Sequence, residues 1–445
     1  MKMKRFGRIA VTLWMLASLS QFSFPGEKTV LTLEESIELA LSQNPYHLAT
    51  EKRVEAAQNR VREAVAYFLP TFEAQGLNTL DEKLFELELP SLIPGDAPRK
   101  VPFDFTKDYQ FTLQFSVPLY TSGRLMSGLR QAQNNLRSTE EYVRQSQHNT
   151  VFNTKRAFYG VLLAREFVKV AEEAVEVATD HFRNVQSLYE VGMASKFDLL
   201  RSEVELANLK PQLIKARNSL NVAELSLKTL LGLELSQPIE IKGDLSYQPA
   251  APDLEDCLIK AVQNRPEIGQ LKYQKGVAQE LGKLARASRF PTLAIAGTYN
   301  LWADKFNFSS ETWQSFYTIN LVLSVPLFGG FSSYAREAQS KAAIKELDLT
   351  LKGLEDTIKF EVRQAILNLD EARESLLSQE KNVEQAQESL RIAELNYSEG
   401  LATSLDVSSV QALLTQAKTN YSQALYDYVL SIAELDKAMG VGWKD

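Results

Sequence analysis

The chain has 445 residues, of which 24% are charged and 9% aromatic, so its composition excludes an intrinsically disordered protein. Lys and Arg number 49 against 56 Asp and Glu. This formal net charge of −7, with no Lys/Arg-rich run, argues against nucleic acid as a partner. Cys257 is the only cysteine, which excludes an internal disulfide and a zinc ribbon.

Residues 1–23 have the organisation of a secretory signal peptide. An apolar stretch from Ile9 to Leu19 follows a basic segment and is too short to span a bilayer as a helix. The basic residues are Lys2, Lys4, Arg5 and Arg8. We therefore expect an exported protein, with an N-terminal membrane anchor as the alternative. No other stretch has 18 consecutive apolar residues, so no transmembrane helix is predicted.

The rest of the chain is predicted to be a tandem duplication, residues 24–245 and 246–445. Asn44-Pro45 recurs 221 positions later as Arg265-Pro266, and Pro70 recurs at the same offset as Pro291. Further along, the offset falls to 208. The pairs at this second offset are Pro118 and Pro326, Gly192 and Gly400, and Gly232 and Gly440. The difference of 13 residues lies around the proline-rich segment 89–102, which is predicted to be a loop.

Each unit is predicted to run helix, strand, loop, strand, long helix, turn and return helix. The first helix opens at the capping-box pattern Thr32-Leu-Glu-Glu35 and is ended by Pro70. The first unit then has strands at about 70–80 and 109–118, a long helix over about 120–189 and a return helix over 195–231. The second unit has helices over 253–289, 330–398 and 402–439, and strands at about 291–302 and 316–326.

The predicted strands alternate apolar with polar or small residues, as in Tyr317-Thr-Ile-Asn-Leu321. Each is roughly 9–12 residues long, which is about the length that a tilted strand needs to cross a bilayer. Aromatic residues gather around them, including Tyr109, Trp302, Phe306, Trp313 and Phe316, which suits an interfacial girdle. A soluble sheet packed on helices remains an alternative. Because four strands cannot close a barrel, the membrane interpretation requires several chains to pool their strands.

The helices that follow the strands are too long for a compact domain. Gly330 to Tyr397 would extend roughly 100 Å as a helix, and its leucines repeat at coiled-coil spacing. The strand-to-helix junctions share Ser-Val-Pro-Leu, with Pro118 and Pro326 at the predicted strand ends. We therefore predict a mostly α, α+β membrane protein, in which long antiparallel helical hairpins continue a β-barrel as an α-barrel tunnel.

The two hairpin turns share the pattern Tyr-x-x-Gly-x-x-Ser/Thr-x-x-Asp. The first turn contains Tyr189, Gly192, Ser195 and Asp198, and the second contains Tyr397, Gly400, Thr403 and Asp406. The glycines suit the left-handed residue that ends a helix, and the hydroxyl residues suit the N-cap of the next helix. The aspartates either only cap these helices or also form acidic rings at a constriction, where they would favour cations.

The duplicated unit, the Val-Pro-Leu junctions and these turns resemble the TolC-type outer-membrane efflux proteins over nearly the whole mature chain. This resemblance implies a homotrimer with a 12-stranded barrel in outer-membrane lipid and a helical tunnel through the periplasm of a Gram-negative-type bacterium. It also implies a tip that opens on docking an inner-membrane pump through a periplasmic adaptor (membrane fusion) protein. Asp406, Tyr397, Asp198 and Tyr189 would be its gate residues. The chain has Ala402 where the family pattern has arginine and Ser409 where it has a second aspartate.

Residues for chemistry are scarce. His47, His148 and His181 are scattered without ligand spacing, and no nucleophile elbow, phosphate loop or dinucleotide motif occurs. No enzyme activity, metal or cofactor is therefore predicted. The expected function is a passive exit duct of a tripartite efflux pump or type I secretion system. The alternative is a soluble periplasmic helical-hairpin scaffold or adaptor.

Overall fold

The computed structural model describes residues 29–81, 85–90, 98–103, 108–307, 309 and 312–442. The signal peptide predicted over 1–23 lies outside them. The helices are α1 (Leu33–Gln43), α2 (Pro45–Ala66), α3 (Arg124–Glu190), α4 (Lys196–Leu231), α5 (Leu254–Asn264), α6 (Pro266–Ala287), α7 (Ser332–Ser398) and α8 (Ser404–Met439). The strands are β1 (Thr29–Leu31), β2 (Thr71–Asn78), β3 (Phe85–Leu89), β4 (Arg99–Phe103), β5 (Tyr109–Tyr120), β6 (Ile239–Ile241), β7 (Thr292–Ala303) and β8 (Gln314–Ser324).

Helices of the two halves have equal lengths. Both α1 and α5 have 11 residues, and both α2 and α6 have 22. The long helices α3 and α7 have 67 residues each, and the return helices α4 and α8 have 36 each. The protein is thus mostly helical, with a smaller part in strands.

Each unit begins with two helices where the sequence predicts one. Pro266 has no backbone N–H and occupies the first position of α6, so the segment predicted as one helix over 253–289 breaks at Arg265. In the first half, Asn44 separates α1 from α2, and its side chain accepts hydrogen bonds from the backbone N–H of Tyr46 at 2.8 Å. Helix α2 ends at Ala66, before Pro70, which was predicted to stop it, and α6 ends at Ala287, before the corresponding Pro291.

The main sheet has four antiparallel strands in the order β2-β5-β7-β8. Two further strand pairs were not predicted. Strands β3 and β4 form a hairpin in which Leu89 pairs with Arg99, so the predicted loop over 89–102 is partly strand. Strands β1 and β6 pair in parallel over three residues each, which brings together parts of the chain about 210 positions apart.

The strand-to-helix junctions differ from the prediction in detail. Strand β5 continues through Pro118 to Tyr120, and its pairing with β7 is irregular at that point, where a proline is tolerated. Strand β8 ends at Ser324, before Pro326. Left-handed residues then turn the chain into each long helix, with φ of +81° at Gly123 and +62° at Phe331. Three residues separate β5 from α3 and seven separate β8 from α7, so each long helix follows the sheet after a short connection.

The helical core follows the predicted leucine seam of α7. Its Ile358, Val362 and Leu369 are at most 2% exposed, and they pack with residues of α5 and α8. A second cluster joins α3 and α4 with α1 and the small β1–β6 pair. Burial of this kind stabilises by roughly 25 cal/mol per Å² of apolar surface, so the hairpins are held by side-chain packing along their length.

Tyr428 of α8 forms hydrogen bonds to the segment that connects the two units. Its side chain is fully buried; the hydroxyl donates to the Gln248 carbonyl at 2.7 Å and accepts from the Ala250 N–H at 3.1 Å. Tyr428→Phe would leave both backbone groups without this partner, so we expect it to destabilise the protein by about 1–3 kcal/mol. Thermal unfolding followed by circular dichroism in detergent measures this. The control is Tyr46→Phe, at an 84% exposed position, and equal melting of the two variants would contradict the prediction.

Candidate channel wall and gate

The register of the main sheet collects its apolar residues on one face. Leu321 lies opposite Ile295 of β7, and Ile295 lies opposite Val117 of β5. The next row on this face joins Ile319, Gly297 and Phe115. In the single chain, Ile319 and Leu321 are each 67% exposed, so the helices of this chain do not cover them. A contiguous exposed apolar face of this kind requires a partner surface or lipid.

The other face of the same sheet is polar and almost uncharged. Its side chains bond across the strands, with Thr112 to Asn300 at 2.8 Å and Thr298 to Thr318 at 3.0 Å. At the β2 edge, the Gln114 amide donates to the Glu73 carboxylate at 2.7 Å. Hydroxyl and amide groups of this kind suit a wall that faces water, so the two faces of the sheet are suited to different surroundings.

Aromatic side chains mark both ends of the sheet. At the end formed by the β7–β8 loop, Tyr109 of the apolar face has its ring centroid 5.5 Å from that of Phe306, and Trp313 packs edge-on to Phe306. Trp302 and Phe316, whose ring centroids are 4.9 Å apart, lie on the polar face. At the opposite end, Phe328 packs edge-on to Phe331 with a 5.6 Å centroid separation. Rings at two levels separated by an apolar band are the pattern of a protein that crosses a bilayer as strands.

The hairpin turns contain the predicted residues in matching geometry. At the first turn, Gly192 has φ of +78°, and the Ser195 hydroxyl oxygen accepts the Asp198 N–H at 3.1 Å. The Asp198 carboxylate in turn accepts the Ser195 hydroxyl at 2.6 Å. At the second turn, Gly400 has φ of +75°, and Thr403 and Asp406 form the same reciprocal pair. Both aspartates thus cap their helices in the structure.

The two tips differ in what surrounds their tyrosines. Tyr189 is exposed and has the Lys196 ammonium 5.6 Å from its ring centroid. Tyr397 is half-buried, and burial raises the pKa of its phenol, with a smaller contribution from the Asp198 carboxylate. Tyr397 of the second hairpin is therefore the predicted gate residue that lies between the hairpins. The exposed Asp406 carboxyl has a pKa below its usual value because the Thr403 side chain and backbone donate hydrogen bonds to it.

A residue that sequence reasoning missed, His181 of α3, joins the two tips. Its Nε2 lies 2.8 Å from the Ser404 hydroxyl at the first position of α8, and its ring centroid lies 5.5 Å from that of Tyr397. Burial holds the pKa of this imidazole below its usual value, and the Glu205 carboxylate opposes the change. A lone histidine whose partner lies 223 positions away gives no local sequence signal.

His181 is one end of a polar seam between α8 and the first hairpin, which we define by the α8 residues Ser404, Ser408, Gln411 and Lys418. The other three bond to Glu205, to the Ala174 carbonyl and to Glu173, in that order. The α8 residues recur at spacings of four, three and seven, so they lie along one face of that helix. The seam therefore couples the second hairpin to the first.

Comparison with known proteins decides the family. A family model described as Outer membrane efflux protein matches residues 36–233 and, a second time, residues 258–441, which together make up most of the chain. The chain belongs to the outer membrane efflux protein family. Proteins of this family are channels, and the predictions of a TolC-type family member and of an outer-membrane efflux function are confirmed.

Individual relatives agree with this assignment. The outer membrane protein TolC of Vibrio cholerae is 25% identical over 336 residues, covering 74% of this chain and 76% of that protein. Alkaline protease secretion protein AprF of Pseudomonas aeruginosa is 26% identical over 354 residues, covering 76% of this chain and 72% of AprF. The fold resembles that of the outer membrane protein VceC of Vibrio cholerae, with a TM-score of 0.74 at 18% identity over 92% of this chain and 96% of VceC.

As an outer membrane efflux protein, the chain is placed in the outer membrane of a Gram-negative bacterium, with its helical hairpins in the periplasm. Among the described residues, no helix combines the length and apolar character needed to cross a bilayer. Within the same residues, no three His, Cys, Asp or Glu side chains are grouped closely enough to bind a metal ion. The soluble periplasmic scaffold that the sequence left open is not favoured.

Proposed function

We propose that three copies of this chain pool their four-stranded sheets into one closed barrel of 12 strands in the outer membrane. The observation that carries this proposal is the main sheet itself, whose apolar face is exposed and whose edge strands β2 and β8 lack a further strand partner among the described residues. An open edge is not tolerated in lipid. Pairing β8 of one copy with β2 of the next satisfies both edges and turns the polar faces inward.

The barrel and the helical hairpins would form one passive conduit. The polar sheet face lines the barrel, and α3, α4, α7 and α8 continue it into the periplasm as a tunnel. The conduit acts as the exit duct of a tripartite efflux pump or a type I secretion system. The family description, Outer membrane efflux protein, supports a role in efflux, and the name of the relative AprF, an alkaline protease secretion protein, supports a role in secretion. A periplasmic adaptor and an inner-membrane pump are the expected partners, and the pump supplies the energy.

The hairpin tips would be the gate of this conduit. Three copies of Asp198 and Asp406 around an axis form acidic rings, and the half-buried Tyr397 lies where the two hairpins of one chain meet. At the first tip, Lys196 lies over the ring of Tyr189. Opening then requires the hairpins to move apart at this level, as docking of an adaptor would promote.

The two halves of the chain would derive from the duplication of one ancestral unit. The double match to the family model and the equal lengths of the four helix pairs support this origin. Duplication explains why each half supplies two strands of the main sheet and one long hairpin.

Detergent-solubilised membranes provide the direct test of the conduit. The purified protein should run as a heat-sensitive trimer and conduct ions in planar bilayers. Recovery of the mature chain as a monomer in the aqueous periplasmic fraction would contradict the proposal and favour a scaffold.

Replacing Asp406 tests the acidic ring. Asp406→Asn removes the charge but keeps a side-chain oxygen that can accept hydrogen bonds from Thr403. We expect the cation-to-anion permeability ratio to fall roughly two- to fivefold, as expected for the loss of a nearby unit charge in water. Thr403→Ala is the matched control, because it removes the cap partner and keeps the charge. Reversal potentials in a salt gradient measure the ratio, and an unchanged ratio in Asp406→Asn would assign Asp406 to capping alone.

A further inference from the structure

The contact between His181 and the second hairpin is a polar link near the tips whose serine is buried. Ser404 is 3% exposed, and its hydroxyl lies 2.8 Å from His181 Nε2. The imidazole ring also packs against Tyr397, the last tyrosine of α7. One side chain of α3 thus contacts the end of α7 and the beginning of α8, on either side of the second turn.

The charges around His181 favour its neutral form. Ser404 is the first residue of α8, where the positive end of the helix dipole disfavours an imidazolium. From α4, the Glu205 carboxylate acts in the opposite direction, but burial is the larger effect on the His181 pKa. From α7, the facing group is the phenol of Tyr397. On α3 itself, Asp180 and Arg183 pair with each other at 3.1 Å and are about 70% exposed.

We propose that His181 is the latch that holds the tip of the second hairpin against the first, and that acid releases it. This inference rests on the proposed role of the tips as the gate. It adds a positioning residue and a form of regulation to that gate. The periplasm of a Gram-negative bacterium is open to small ions through the outer membrane, so the latch would sense the acidity of the surroundings.

The direction of the pH effect follows from linkage. A histidine freed into water has a pKa of about 6.5, whereas burial lowers that of His181 in the closed tip. Well above pH 6.5 the histidine is neutral in both states and the latch is intact. As the pH falls below 6.5, the released state binds protons more readily, so the closed state loses stability progressively. Free carboxyl groups titrate near pH 4, so the interval from pH 7.5 to 5.5 isolates the histidine.

Single-channel recordings at pH 7.5 and 5.5 test the latch. On acidification from pH 7.5 to 5.5, we expect the ratio of open time to closed time of the wild type to rise about two- to tenfold for each latch. The upper limit is the change for a histidine that has a pKa of about 6.5 when released and stays neutral when closed. His181→Gln keeps an amide that can bond to Ser404 but does not titrate, so its response should be lost. His148→Gln, the same change elsewhere on α3, should respond like the wild type. An acid response retained in His181→Gln, or absent from the wild type, would overturn the proposal.

Hydrogen exchange of the segment 397–410, compared between variants at the same pH, gives a readout that does not depend on conduction. At pH 5.5 the wild type should exchange faster than His181→Gln, and at pH 7.5 the two should match. Ser404→Ala, which removes the bond but keeps the imidazole, should exchange faster than both at pH 7.5. Equal exchange of all three proteins would overturn the latch. Faster acid exchange in a protein that conducts no ions would support the latch and count against the conduit.

Discussion

Leu321→Lys is expected to prevent assembly in the outer membrane, whereas Asn320→Lys, one residue away, should be tolerated. Leu321 lies on the apolar face of β8 and is 67% exposed in the single chain, while Asn320 lies on the polar face. A lysine on the lipid face of a barrel costs about 2–4 kcal/mol near the bilayer midplane and is present three times in the proposed trimer. On the lumen face the same ammonium remains in water.

The measurement is the yield of heat-sensitive trimer in the outer-membrane fraction, normalised to total protein. Both substitutions introduce lysine into the same strand, so the strand propensity of lysine itself is matched between the two variants. If both variants assembled equally, the apolar face would not be in lipid and the barrel proposal would fail.

Gly232→Ala is expected to destabilise the protein far more than Gly192→Ala. Both glycines have a left-handed backbone, with φ of +73° and +78°. A Cβ at Gly232 would lie 2.6 Å from the Gln43 carbonyl oxygen, whereas a Cβ at Gly192 would meet nothing within 4 Å. Gly192→Ala therefore incurs only the cost of a left-handed backbone, about 1–2 kcal/mol. Gly232→Ala adds the steric overlap with Gln43, which brings the total to about 2–5 kcal/mol.

The temperature at which the proposed trimer dissociates in mild detergent measures both effects. Gly440→Ala provides a second test in the other half of the chain, because its Cβ would lie 3.0 Å from the backbone nitrogen of Arg265. Equal dissociation temperatures for Gly232→Ala and Gly192→Ala would show that the end of α1 moves away without a significant cost.

The features that were predictable from sequence are those with local signals. The long helix α7 follows from leucines spaced along one continuous segment, and the alternation in β8 lies within 11 residues. The tip caps are also local, because Ser195 and Asp198 are three residues apart and bond to each other. Pro266 is also a local signal. In the sequence alone, however, a proline that begins a new helix looks the same as a proline inside a longer helix.

The features that were not predictable depend on partners far away in the chain. Strand β1 has three residues and is defined only by pairing with β6, about 210 positions later. Ala74 and Gly76 weaken the apolar alternation of β2, so its place in the sheet follows from its register with β5. The role of His181 depends on its contact with Ser404, 223 positions away, and the sequence around His181 does not indicate that contact. Such contacts arise from packing of whole hairpins, which periodicity within one segment does not specify.

The two open edges of the main sheet have a consequence for biogenesis. Strands β2 and β8 present rows of backbone N–H and C=O groups that are templates for pairing with any extended segment nearby. If the chain assembles as the proposed trimer, a newly exported subunit is therefore aggregation-prone until it meets two others, and its lifetime in that form depends on its concentration. Overproduction beyond the capacity of the insertion machinery should yield misassembled deposits, which chaperones that shield exposed strands would suppress.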